Sequence, residues 1–146
     1  MTSVKPDFRD DEVHAPLLMG LLFRQVHGAF AAEDWDGLRQ SHFRVLAAVP
    51  EQGISVTDLG QWVGMTKQGC GQFVAQLTGT GHLVTEPDPA DRRVRVVRRT
   101  PLGDRTVAAV TERNLRIEAE WAERVGEKRY RTFRRVLEEL ALGDDG

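Results

Sequence analysis

Cysteine is almost absent from the 146 residues: Cys70 stands alone, so neither an intrachain disulfide nor a cysteine-based zinc cluster can form, and a reducing compartment suits the chain. Long apolar runs are missing too. The longest, residues 15–23, is interrupted by Pro16 and Gly20 and stopped by Arg24, far short of the roughly 20 residues that cross a bilayer. The N-terminus has no basic stretch ahead of an apolar one, but carries acids at Asp10, Asp11 and Glu12, so a secretory leader is not expected and the cytoplasm is the expected location. Catalytic equipment is also lacking. Paired carboxylates, a nucleophile beside a base, a phosphate-cradling loop and a metal-spaced cluster are all missing, so neither an enzyme nor a cofactor is expected. His14, His27, His42 and His82 show no helical i, i+3 or i, i+4 spacing, and a metal site would have to assemble across the fold.

What is present is an ordinary globular composition, 40% hydrophobic and 29% charged, sufficient for one core and one domain. The net charge of -2 hides a segregation. Residues 88–105 hold six arginines against three acids, whereas residues 1–60 hold five bases against nine acids. A basic patch of this kind suits a polyanion.

Along the chain, residues 1–12 are polar, acidic and aperiodic and are expected to form a mobile arm. From Pro16, the apolar residues Leu18, Leu22, Val26, Ala29 and Phe30 follow a helical period until Asp34, Asp36 and Gly37 break it. Leu38, His42, Leu46 and Val49 mark a second helix that stops at Pro50 and Gly53. Ser55 and Asp58 then form a capping pattern for a short third helix, with Leu59, Trp62 and Val63 sharing one face, Trp62, like Trp121 later, read as core or interface, and Gly64 as its left-handed cap. Thr66 can cap a fourth helix. In it Cys70, Phe73, Val74 and Leu77 cluster on one side, and Gln68, Gln72, Ala75 and Gln76 are expected on the other.

Residues 82–86 read as a strand closed by Pro87, the Asp88, Pro89, Ala90, Asp91 segment as a turn, and residues 94–100 as a returning strand, together a basic-tipped hairpin. After Pro101 a long helix runs to about Val125 with Val107, Val110, Ile117, Trp121 and Val125 on one face. A last helix groups Phe133, Val136, Leu137 and Leu140. Faces so apolar exceed what a small domain can cover, and closed two-fold pairing is the commonest way to cover them.

The fold class expected is mostly α with a small β-hairpin wing: a winged helix-turn-helix domain plus a helical dimerisation region. A short helix, a tight turn, a second helix and a basic hairpin is the layout that places one helix in the major groove of DNA and a wing in the neighbouring minor groove. From Leu38 to about Val125 the sequence resembles the multiple antibiotic resistance regulator (MarR) family of bacterial transcription factors. The likeness lies in Asp88, Pro89, Ala90, Asp91, Arg92, Arg93 and then Thr100, Pro101, Leu102, Gly103, which look like that family's wing and helix start. Gly64, Met65, Thr66, Lys67, Gln68 and later Leu77, Gly81, His82, Leu83, Val84 are similar to its recognition helix and exit.

The resemblance implies a single domain over residues 1–146, a homodimer held by residues 13–37 and 101–142, and a DNA-reading lobe over residues 38–100 facing a pseudo-palindromic operator in double-stranded DNA. It further implies that Arg93 enters the minor groove with Asp91 holding its guanidinium in a bidentate pair. Arg92, Arg95, Arg98 and Arg99 are expected at phosphates, some of them only solubilising the surface. Gln68 and Gln72, one turn apart, have the donor and acceptor that adenine needs in the major groove, and Thr66 and Lys67 suit phosphates at the helix start. Gly69 and Gly71 depart from the family, as does Gln72 where an arginine is common. These glycines either delay full helix formation until DNA is bound or allow close backbone approach to phosphates.

In relatives, small aromatic acids bind beside the reading lobe, and Trp35, His27 and His42 could border such a cleft here. Two alternatives stand beside a repressor tuned by a small ligand. One is a protein-interaction module on the same fold; the other is a thiol-based redox sensor using Cys70, which the packed position expected for that residue opposes.

Overall fold

The computed structural model describes residues 9–143 and divides into two compact units, Met1–Asp34 and Trp35–Gly146. Eight of the twelve residues of the expected arm lie outside the described residues; Asp10–Glu12 forms a single 3-10 turn. In the first unit α1 spans Ala15–Ala31, with Pro16 in its opening turn, where a missing N–H costs nothing. Leu17, Leu18, Met19 and Phe23 are exposed along it, and Phe23 meets the His27 ring edge-on at 5.3 Å.

The second unit holds α2 (Gln40–Ala48), β1 (Ile54–Ser55), α3 (Val56–Val63), α4 (Lys67–Gly79), β2 (Leu83–Pro87), β3 (Arg95–Arg99), α5 (Pro101–Val125) and α6 (Glu127–Leu142). Its core is made of Val45, Leu46, Val49, Leu59, Cys70, Leu77 and Val97, all at zero exposure, with Leu83 beside them. These are the apolar positions that recur at helical or alternating spacing, so burial rather than propensity holds such short helices in place.

The sheet is antiparallel in the order β1-β3-β2, with Val97 facing Thr85 on one side and Ile54 on the other. The hairpin expected from sequence thus has a third strand. Two residues leading into a helix have no alternation to reveal them, and only β3 gives β1 its pairing. Pro87, expected to close β2, is its last residue, opposite Arg95, and a proline is tolerated on an edge strand that need not donate there.

The caps form as their side chains allow. Ser55 Oγ accepts from the Asp58 amide at 3.1 Å and opens α3, while Gly64 closes it at φ 71°, a conformation that L side chains avoid. Thr100 opens α5, its hydroxyl accepting from the Gly103 amide at 3.1 Å and donating to the Gly81 carbonyl. Gly103 is required by contact: a Cβ there would overlap the His82 carbonyl oxygen. That oxygen also accepts from the Thr100 amide at 3.1 Å, so β2, β3 and the start of α5 are tied at one point.

Of the two readings of Trp62, core or interface, the structure excludes the core: the residue is 73% exposed. The packed side of α3 is set by Leu59 and by Gly60, whose missing side chain lets the Met65 carbonyl and the Cys70 side chain close in. Trp62 lies about 60° to one side of Leu59 and Gly60 about 100° to the other, so burial of Gly60 turns the indole outward. Trp121 is half-buried on α5. No residue of α6 is buried: Phe133, Val136, Leu137 and Leu140 remain exposed, the last at 81%.

Candidate nucleic-acid interface

The site is built on α4. Thr66, in extended backbone, accepts from the Gly69 amide at 3.0 Å through its hydroxyl, which fills one of the four donors that a helix start leaves open. The amides of Lys67 and Gln68 have no acceptor among the described residues, and Lys67 adds its charge at the same end. Cys70, Val74 and Leu77 anchor the inner side. Lys67, Gln68, Gln72 and Ala75 are exposed on the other, with Gly69 and Gly71 half-buried.

Gln76 is exposed, as expected of the outward set, but it is engaged. Its Oε1 lies 2.9 Å from Nε2 of His42, a buried residue of α2. His42 Nδ1 accepts from the Arg39 amide at 3.0 Å, so Nε2 carries the proton and donates to Gln76. Both ring nitrogens are satisfied, and Phe73 meets the ring edge-on at 5.2 Å. His42 therefore fixes α4 against α2. A ligand could recruit it only by breaking one of these bonds, which argues against the cleft role considered for it. Trp35 packs edge-on against Phe43 at 5.2 Å, and His27 lies on α1.

The second part is the wing. Between β2 and β3 the turn closes through the Asp88 amide donating to the Val94 carbonyl at 2.8 Å and Val94 returning a bond to the Asp91 carbonyl at 2.9 Å. Asp88 and Asp91 brace it with their side chains: Asp88 Oδ1 accepts from the Ala90 amide, and Asp91 Oδ1 from the Arg93 amide at 3.1 Å. The same Asp91 oxygen takes the Arg93 Nε at 3.3 Å. The expected bidentate fork is thus a single-oxygen contact, with Oδ1 serving turn and side chain together. The terminal guanidinium nitrogens of Arg93 make no bond among the described residues, and the side chain is 92% exposed. Arg92 and Arg95 are exposed and form no ion pair among the described residues.

Arg98 and Arg99, expected at phosphates, have acids of their own. Arg98 Nε lies 3.6 Å from Glu86 and its Nη1 reaches the Glu51 carbonyl, while Arg99 Nε lies 3.3 Å from Asp104 with its side chain only 22% exposed. Sequence offered no sign of this, because the acids come from the partner strand and the following helix. Within the hairpin, the arginines free of acids are therefore those at and beside its tip.

Cys70 has no access to solvent, and burial pushes its thiol above the ordinary value of 9.0. A thiol without solvent contact or a thiolate at neutral pH makes a poor oxidant sensor. His82 is buried as well. The Thr80 hydroxyl donates to the Leu77 carbonyl, so it accepts from His82 Nδ1 at 2.7 Å, a structural role. No helix among the described residues is long and apolar enough to cross a membrane, and no three metal-ligating side chains gather there.

The MarR family model matches residues 36–94, the segment that contains α2, α3, α4 and the wing turn. No curated protein matches the chain significantly. Among solved structures, a crystal structure of MarR is similar at TM-score 0.80 and 20% identity, covering 92% of this chain and 93% of its own. The PcaV transcriptional regulator from Streptomyces coelicolor, in complex with its natural ligand, is similar at TM-score 0.74 and 21% identity, covering 94% of this chain and 99% of its own. Bordetella bronchiseptica BpsR, whose DNA binding is regulated by 6-hydroxynicotinic acid, is similar at TM-score 0.74 and 20% identity, covering 95% of this chain and 100% of its own. The MarR family model thus covers residues 36–94 of this chain, and over nearly its whole length the chain shares the winged-helix fold of these solved regulators.

Proposed function

We propose that the protein is a sequence-specific DNA-binding transcriptional regulator, a homodimeric repressor whose operator affinity is tuned by a small aromatic ligand. The observation that carries this reading is the combination, in one compact unit, of a firmly anchored α4 with open amides and free polar side chains and a braced wing tip rich in arginine. Thr66 and Lys67 meet phosphates at the helix start, Gln68, Gly69 and Gln72 face the major groove, and Arg93, oriented by Asp91, enters the adjacent minor groove. Arg92 and Arg95 meet the phosphates flanking it. Residues 13–37 and 101–142 form the dimer region, a role supported by the exposed apolar side chains of α6. Two reading lobes related by a two-fold axis match a pseudo-palindromic site. The ligand complex of PcaV and the ligand control of BpsR support regulation by a small molecule that favours one dimer conformation over another.

The experiment is fluorescence anisotropy of the purified protein against fragments of its own genome at two salt concentrations, with Arg93→Ala in parallel. The expected result is selective binding that weakens steeply with salt, by roughly a thousandfold or more from 50 to 200 mM if six or more phosphates are neutralised, and that weakens further in the variant. Absence of any preferred fragment, with variant and wild type alike, would overturn the reading. A protein-interaction module is the second reading, favoured by one observation: Trp62, exposed on α3, is the kind of aromatic that anchors protein partners. The same assay separates the two.

A further inference from the structure

Three glutamines lie at one-turn intervals along α4, at positions 68, 72 and 76, and the fold treats them differently. Gln76 is held by His42 at 2.9 Å and is not available to read DNA. Gln68 and Gln72 are exposed and have no hydrogen-bond partner among the described residues. After Lys67, beside the open amides at the helix start, α4 carries neither lysine nor arginine, the side chains that read guanine through its O6 and N7. Between the two free glutamines is Gly71, where an added Cβ would meet nothing of the protein within 4 Å. No internal packing requires that glycine, and an alanine there would favour the helix.

We propose that α4 reads two A·T base pairs in each half-site, one through Gln68 and one through Gln72, and that neither position has the charged side chain that prefers guanine; the inference rests on the DNA-binding reading above. Each amide donates to adenine N7 and accepts from N6, a pairing that no other base offers in the major groove. Four residues of helix separate the two side chains by about 6 Å, close to two base-pair steps of about 3.4 Å, so the positions read are two steps apart. Gly71 lies between them and lets the helix backbone approach the groove. With Gln76 tied to α2, reading stops after the second position.

The test begins with selection of duplexes from a random pool by the full-length protein, which should return A·T at two positions two steps apart in each half-site. Because the arginine wing can also favour A·T through a narrow minor groove, each selected pair is then replaced by inosine·cytosine. Inosine shows the guanine pattern in the major groove and lacks the minor-groove amino group. Affinity should fall by about 5- to 150-fold per replaced position. In Gln68→Ala and Gln72→Ala the penalty at one position each should vanish, and Gln72→Arg should transfer preference at its position to guanine. Gly71→Ala should fold at least as well as wild type and bind the selected duplex more weakly.

Inosine tolerated at both positions, or glutamine variants with unchanged base preference, would overturn this assignment. If binding still fell with salt and with Arg93→Ala, DNA recognition itself would stand. A pool that yields no preferred sequence and no salt-dependent binding would overturn both.

Discussion

The lobe of α2, α3, α4 and the sheet buries Val45, Leu46, Val49, Leu59, Cys70, Leu77 and Val97 completely, whereas α6, with 16 residues, buries none. Both have apolar residues at regular spacing, so the difference lies in what faces them. In the lobe, α2, α3, α4 and the sheet close around one another. Between α6 and α5, Tyr130 donates to Glu118 at 2.7 Å and Arg134 bonds the same carboxylate, while within α6 Arg134 also bonds Glu138. The apolar side chains of α6 are left uncovered. A lobe with a complete core depends on its own packing, whereas in the proposed dimer the uncovered face of α6 depends on the second copy, so the two should respond differently to substitution and to concentration.

Leu46→Ala should have the largest effect, a loss of about 2–5 kcal/mol at a fully buried site, seen in chemical denaturation. A loss well below that would mean the lobe core is looser than its burial implies. Gly103→Ala should follow at about 1–3 kcal/mol, because the new methyl collides with the His82 backbone and α5 must shift from the sheet. Cys70 adds a pH dependence. Above 9.0 the unfolded chain releases a thiol proton that the folded chain keeps, so stability falls as pH rises beyond that value, by at most about 1.4 kcal/mol per pH unit. Cys70→Ala should remove that part of the slope, and an unchanged slope would assign it elsewhere.

Leu140→Ser should have the smallest effect on the fold of a single chain, under about 0.5 kcal/mol, since the side chain is 81% exposed. Yet it should make association weaker in sedimentation. If association were unaffected, the dimer region would have to be sought elsewhere.

Much of the local structure was legible. The bounds of α5 follow from Thr100, Pro101 and the apolar period, and the caps at Ser55, Gly64 and Thr66 form as their residue types dictate. The wing was legible too, from the Asp88 to Arg93 turn and the alternation after it. What could not be read depended on partners distant in the chain. Gln76 lies on the outward face as its spacing says, but that His42, 34 residues earlier, takes its carbonyl could not be read. Arg98 and Arg99 looked like phosphate ligands until the hairpin register brought Glu86 near one and the start of α5 brought Asp104 near the other.

The sequence by itself determined the order of elements, the caps, the side of α4 that packs and the place where positive charge accumulates, because these follow from spacings of a few residues and from the conformational limits of single residue types. Only the tertiary structure decided which polar groups remain free. A hydrogen bond or ion pair across the fold is set by how whole elements pack, and Trp62, Gln76 and Arg99 owe their exposure or engagement to Gly60, His42 and Asp104.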